Sequence, residues 1–482
     1  MKYIYSLATA ALLCFSVTSC DERLADLNID PNNSPVASDP QILTASLGYM
    51  AAIQEQDLNE YSFLWGQYYT WGLGVAIGNA DRFRQEASTN NNKWQRFYAN
   101  ALEDLNYLRK SESSSYSGIG KVLSAYNFQL LVDHYGDIPF SQALKGAIED
   151  GSVLTPTYDS AADVYSGIIT LIDDALIDFE VTAGDVGADD LLFAGDMDKW
   201  KKFAYSLKLK ALMRTSEVSD NSAAITALLS NGTFIETFSD IVKVDFSGAS
   251  GNQNPMWANM ERSLGDFYFA SNASVNVLND LADPRIDAFY SRAVGGDFNG
   301  QFRGIDQGSV DNEPFTGNKD HYSRSGAFAV NSDNPVFFMT PWEVWFLRAE
   351  AEARYGSAAT AETYFSNAIS TNFSYLGVDG AAAYIATLNF SSLDMNGMID
   401  AIGVQKWISM NGSQEDEGWI ESRRFDRPAS RLFTEGIFQT PTASALGQGV
   451  FPASWLYPAS EINLNPNSPA QRVITDKIFW DN

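Results

Sequence analysis

Histidine and cysteine are nearly missing from this 482-residue chain, which has two of each. A hydrolytic zinc site needs several such ligands at short spacing, and His134 and His321 lie far apart, in no HExxH-like pattern. A nucleophilic site built on either imidazole is equally unsupported. His134 closes a helical pattern, where a ring nitrogen is expected to serve a backbone carbonyl. Basic residues are scarce as well. Thirty-two Lys and Arg face 60 Asp and Glu, a net charge of -28 with a pI near 4.3, and such a field repels nucleic acid and anionic lipid. Nucleic-acid binding is excluded on that ground. The N-terminal apolar run, residues 7–17, is too short for a permanent membrane-spanning helix.

That run has another meaning. Lys2, the apolar stretch and the small residues Thr18 and Ser19 before Cys20 have the layout of a secretory signal. The expected organisation is a signal peptide over 1–19, a lipidated tether over 20–40 and a single domain over 41–482. Cys14 falls in the removed segment, so the mature chain closes no internal disulfide. Acylation of Cys20 would anchor the chain, since burial contributes roughly 0.8 kcal/mol per methylene. Residues 21–40 are polar and turn-rich, as a tether should be.

The body, 45% hydrophobic and 13% aromatic, can bury a large core and reads as helical. Helical spacing is expected from Gln41 past Ile53, over 92–110, 120–135, 159–179, 196–214 and 396–410. In 196–214 the lysines could mark a membrane-surface helix, but Trp200, Phe203, Leu207 and Leu212 read as core. The clearest unit spans 334–370. Thr340, Pro341 and Glu343 fall at N-cap, N1 and N3, Gly356 is placed for a left-handed helix stop, and a second helix carries Phe365, Ala368 and Ile369. The spacing of Trp345, Ala349, Gly356, Ala361, Phe365 and Ala368 is that of a tetratricopeptide pair. One such pair cannot cover its own apolar faces, so others are expected. Between residues 231 and 334 the helical signal fades into glycine, asparagine and aspartate, with a turn at Asp283, Pro284 and Arg285.

Acidic pairs are too common among 60 carboxylates for spacing to identify a glycosidase. Glu415, Asp416 and Glu417 are adjacent and read as a solvated loop. Asp297, Asn299 and Asp306 suggest at most a structural calcium ion, because the twelve-residue loop pattern and its final glutamate are missing. No catalytic residue, cofactor or catalytic metal is assigned. Aromatic residues carry more information. Indole and phenol rings offer the flat faces on which sugars or extended peptides stack, and the candidate ligand-binding residues are Trp65, Tyr68, Tyr69 and Trp71, then Trp257, Phe267, Tyr268 and Tyr322. The site is expected where the 61–71 cluster meets the 231–334 insert.

Several segments in order resemble the SusD/RagB family of outer-membrane nutrient-binding lipoproteins of Bacteroidetes. They are the lipobox-like Cys20, LNIDPNNSP, LVDHYGDIPFSQAL, KWKKFAYSLKLKALMR, NDLADPRI, MTPWEVWFLRAEAEARYG, QKWISMNGSQEDEGWIESRRFDRP and YPASEINLN. The resemblance implies an all-α, tetratricopeptide-like repeat body with a loop-rich, largely irregular ligand-binding side. It implies a non-catalytic protein on the cell surface, held to the outer membrane through its lipid. Its partners would be a SusC-like TonB-dependent transporter and an oligosaccharide or peptide ligand. Asp21 and Glu22 resemble the acidic residues that follow the lipidated cysteine in surface-exported lipoproteins. A secreted helical glycoside hydrolase is the rival reading, and a scaffold that binds only protein is a third.

Overall fold

The computed structural model describes residues 37–72, 80–147, 150–181, 184–259, 267–309, 318–326 and 330–481. The expected signal peptide, Cys20 and most of the tether lie outside these residues, as does most of the glycine-rich stretch after Trp71.

Helix α1, Asp39–Ala52, begins with a capping box in which Ser38 and Gln41 satisfy each other's free groups, Ser38 N donating to Gln41 Oε1 at 3.0 Å. A wide turn over Ile53–Leu58 carries it into α2, Asn59–Trp65. The short strand β1, Tyr69–Trp71, follows. Helices α3, Ser114–Tyr135, and α4, Ala161–Asp178, pack as a pair. Helix α5, Met197–Arg214, starts on an Asp196 cap and buries Trp200, Phe203, Leu207 and Leu212, as the core reading of that segment requires. After the insert come α6, Pro341–Tyr355, and α7, Ala358–Leu376, then α8, Met395–Met410, and α9, Glu415–Phe425. One contiguous apolar core draws side chains from Ile42 to Trp480.

The α6–α7 hairpin forms as its spacing requires, with Ala349, Ala361, Phe365 and Ala368 all fully buried. Phe346 and Phe365 meet edge to face at 6.1 Å. Two of its details differ from expectation. Thr340 Oγ1 accepts from Glu343 N at 3.3 Å, but the Glu343 carboxylate turns away to Lys210 (2.9 Å) and Gln414 (2.7 Å) instead of completing a capping box. Gly356 has φ -130°, not a left-handed value. A Cβ there would come 2.0 Å from Glu352 Oε2, the movable end of a long side chain that would have to turn aside. Since Ala349 and Ala361 have no free space beside them, Ala361→Leu should overpack the helix contact and lower stability by about 1–3 kcal/mol in denaturant titration. An unchanged midpoint for leucine at both Ala349 and Ala361 would remove the tetratricopeptide assignment of this hairpin.

The acidic triplet is the largest departure. Glu415, Asp416 and Glu417 form the buried first turn of α9 and are not a solvated loop. For Glu417 the physical reason is a set of cations supplied by other helices, while Asp416 is held by Ser62 and His134. Glu417 faces Arg214 (2.7 Å), Lys210 (2.8 Å) and Lys406 (3.5 Å). Glu421 faces Lys406 and Arg424, and Glu350 faces Arg424 and Arg354. Burial opposes ionisation of Glu417, but Arg214, Lys210 and Lys406 outweigh it and hold its pKa down to about 2. Glu415 has no such partner, and burial pushes its pKa up to about 7.

Candidate functional site

The insert leaves and rejoins the helical body at one place. Strand β2, Val242–Val244, pairs antiparallel with β4, Val336–Met339, so residues 245–335 form a closed excursion. A second tie joins it to the aromatic segment after α2. Strand β3, Tyr268–Ala270, runs antiparallel to β1 with Tyr69 opposite Ala270, Thr70 opposite Phe269 and Trp71 opposite Tyr268. The expected meeting of the 61–71 cluster with the insert is therefore made by backbone hydrogen bonds.

A third tie is buried. Arg285 grips Asp283 through Nε (3.0 Å) and Nη2 (2.6 Å), and donates to Asn372, Ser409 and Gln405 on α7 and α8. The turn at 283–285 is thus a peg that fixes the insert against the repeat. Tyr290 adds to it, donating its hydroxyl to the Tyr68 carbonyl at 2.7 Å.

Five of the eight candidate rings turn inward at this junction. Trp65, Tyr68, Tyr69, Trp71 and Tyr268 are each at most 5% exposed. Trp65 Nε1 donates to the Ala80 carbonyl (2.8 Å), and Tyr68 stacks on Trp407 at 5.1 Å and donates to its carbonyl. Trp71 meets Tyr268 edge to face at 6.1 Å. A helix-to-strand turn that threads the core needs apolar side chains on every face, so these rings pack and offer no open surface. Trp257 and Phe267 are half-buried. Trp257 lies on the helix Pro255–Asn259 against the Ile53–Leu58 turn, whereas Phe267 adjoins β3.

Tyr322, at 7% exposed, is buried as well, but it lies beneath a partly exposed part of the insert. It packs with Phe269 and Ile305 in a small core separate from the main one. Ser323 N donates to the Arg303 carbonyl at 2.7 Å, and Ala270 N to the Ser323 carbonyl at 3.0 Å, so three segments lie side by side. Gly304 permits that approach, because a Cβ would come 2.7 Å from Asn272 N. Above this backbone the Arg303 guanidinium lies between two rings, 3.7 Å from the Phe298 centroid and 4.2 Å from that of Tyr322. Arg324 covers Phe269 at 4.8 Å, and His321 sits 5.6 Å from Phe298. Phe298, Arg303, His321 and Arg324 are thus partly exposed above the buried Tyr322 and Phe269, a ladder whose outer faces and edges can stack flat ligands and donate hydrogen bonds. Phe298, Arg303 and Arg324 were not among the sequence candidates: Phe298 stands alone in a glycine-rich loop and arginine is not counted among stacking residues, and the available signal was the mixing of aromatics and arginines in FNGQFRG and HYSRS.

Residues of a hydrolase triad do come together, in the wrong order. Ser62 donates to Asp416 Oδ1, which lies 2.8 Å from His134 Nε2, while His134 Nδ1 lies 2.7 Å from the Leu130 carbonyl. All three side chains are fully buried, and no imidazole faces the serine. His134 thus serves a carbonyl, as its position at a helix end implied. Asp306 accepts from Asn272 Nδ2 at 2.7 Å, and among the described residues no three His, Cys, Asp or Glu side chains converge as a metal site would require.

A helical-repeat body that carries a stacking surface on an irregular insert defines a ligand-binding scaffold, and the comparisons with known proteins agree. The model of the SusD-like family, described as starch-binding and associating with the outer membrane, matches residues 31–458. The chain belongs to this family, whose members are non-catalytic binding proteins. Among solved structures, a chitin-binding protein superposes with a TM-score of 0.77 at 22% identity, covering 92% of this chain and 100% of its own. A chitin-binding SusD homologue from Flavobacterium johnsoniae gives 0.75 at 20%, covering 91% and 98%. A SusD homologue from Bacteroides thetaiotaomicron gives 0.75 at 17%, covering 92% and 99%. The comparison with curated proteins returned no match. No helix among the described residues is long and apolar enough to cross a membrane.

Proposed function

We propose that this protein is a lipid-anchored cell-surface receptor that captures oligosaccharide on the Phe298–Arg303–Tyr322 ladder and delivers it to a TonB-dependent outer-membrane transporter. The observation that carries this reading is the family match over 31–458, a family described by starch binding and the outer membrane. Two structural neighbours that bind chitin make oligomers of N-acetylglucosamine the first ligands to try. Cys20, preceded by a short apolar run and small residues, supplies the anchor.

The test uses soluble protein beginning at Asp21, titrated with chitin and starch oligosaccharides and with peptides of similar length. Saturable binding of an oligosaccharide is expected. Binding of peptides alone, or turnover of any oligosaccharide, would overturn the reading. For the anchor, cells expressing the full chain should incorporate a palmitate analogue, and Cys20→Ala protein should lose both the label and its place in the membrane fraction.

A further inference from the structure

A cavity lies between α9 and the C-terminal segment, with a volume of about 230 Å³. No residue of the ladder lines it. Trp65, Trp419, Phe433 and Phe451 give it aromatic walls, and its volume falls below the roughly 300–1,000 Å³ of drug-sized ligand sites. It has room for one substituted six-membered ring, not for an oligomer.

Charge distinguishes the cavity within so acidic a protein. Three cations, Arg423, Arg431 and Lys477, share the wall with Asp426 and Asp481. Asp426 is occupied: its oxygens accept from Phe433 N (2.8 Å), Thr434 N (3.0 Å) and Thr434 Oγ1 (2.6 Å). Asp481 pairs with Lys477 at 3.3 Å, and exposed Arg431 lies 3.5 Å from Glu435. Arg423 is different. It is 7% exposed and stacks on Trp419 (4.0 Å) and Trp480 (4.9 Å), and its Nη atoms donate only to the backbone carbonyls of Ala453 and Asp133. Its Nε is buried without an acceptor, and no described carboxylate lies within ion-pair distance of it. Burial holds its pKa down to about 10, whereas facing carboxylates overcome burial at Arg214 and Arg424 and raise theirs. Asp481 and Asp133 act on Arg423 only from beyond ion-pair distance, so what the cavity wall offers is a buried guanidinium whose Nε has no acceptor.

We infer that this cavity is a second binding site, taking a single pyranose ring that bears a carboxylate, a uronic acid. The ring lies against the aromatic walls, and its carboxylate accepts a hydrogen bond from Arg423, whose Nε the protein leaves without an acceptor. The inference rests on the carbohydrate reading above for its choice of a sugar over another anionic ring.

The experiment titrates the soluble protein with glucuronic acid, glucose and a neutral chitin oligosaccharide. Two variants, Val450→Trp and Arg431→Glu, alter the partly exposed rim without touching the core, and melting curves verify their folding. Glucuronate should bind at least tenfold more tightly than glucose. Each variant should weaken glucuronate at least tenfold and leave the neutral oligosaccharide unaffected. Equal binding of glucose and glucuronate would overturn the inference, as would wild-type glucuronate affinity in Val450→Trp. Loss of the neutral oligosaccharide in Val450→Trp would also overturn it, by merging the cavity with the ladder site. Glucuronate binding that is lost in Val450→Trp, in a protein that binds no neutral oligosaccharide, would support the cavity and sink the capture reading instead.

Discussion

Glu417→Ala should cost about 3–5 kcal/mol of folding stability, enough to leave much of the protein unfolded under ordinary conditions. The carboxylate it removes faces Arg214, Lys210 and Lys406, all nearly or wholly buried. Without it Lys210 keeps Glu343, and Lys406 and Arg214 share Glu421, so the buried cluster is left with an excess of positive charge away from water, and that penalty exceeds the modest net worth of the intact pair. The pH dependence should change with it. The folded pKa of Glu417 is held below the ordinary value, so its contribution is present above about pH 4.5 and is lost as pH falls toward 2. Urea unfolding of wild type and variant at pH 7 and pH 3 checks both points. The difference between them should shrink at the lower pH, and a difference below 1 kcal/mol at pH 7 would show that the network does not hold the helices together.

The second large effect concerns binding. Phe298→Ala and Arg303→Ala should each weaken oligosaccharide binding at least tenfold and hardly change the melting temperature, because both side chains are half-exposed while the rings beneath them are buried. Truncation of a stacking anchor typically costs about 2 kcal/mol. Trp71→Ala makes the contrast. As a buried ring it should cost about 3–5 kcal/mol of stability and change affinity only through unfolding. If both ladder variants bind as wild type does, the capture site lies on another face.

The repeat was readable because its signals are local. Thr340, Pro341, Ala349 and Ala361 report their roles within one hairpin, and the helical period carries the rest. Glu415–Glu417 could not be read that way, since Lys210 and Arg214 stand some two hundred residues earlier and periodicity does not say which distant cations a carboxylate meets. The site was half legible. A surplus of aromatics marked the two segments that meet, but a run such as 61–71 looks the same in a core as on a platform. Only the pairing of β1 with β3 turned Tyr68 inward, and only the approach of residues 303–305 to β3 lifted Arg303 onto Phe298 and Tyr322.

The β2–β4 ladder gives the protein a way to change its diet. Because the excursion begins and ends on neighbouring strands, its length hardly affects the cost of closing it; doubling a flexible loop adds only about 0.6 kcal/mol. Insertions and deletions between the peg at Arg285 and the return at Val336 can remodel the ligand face while the helical pairs go on folding as before. Selection can therefore rewrite what such a receptor recognises without having to reinvent the body that carries it.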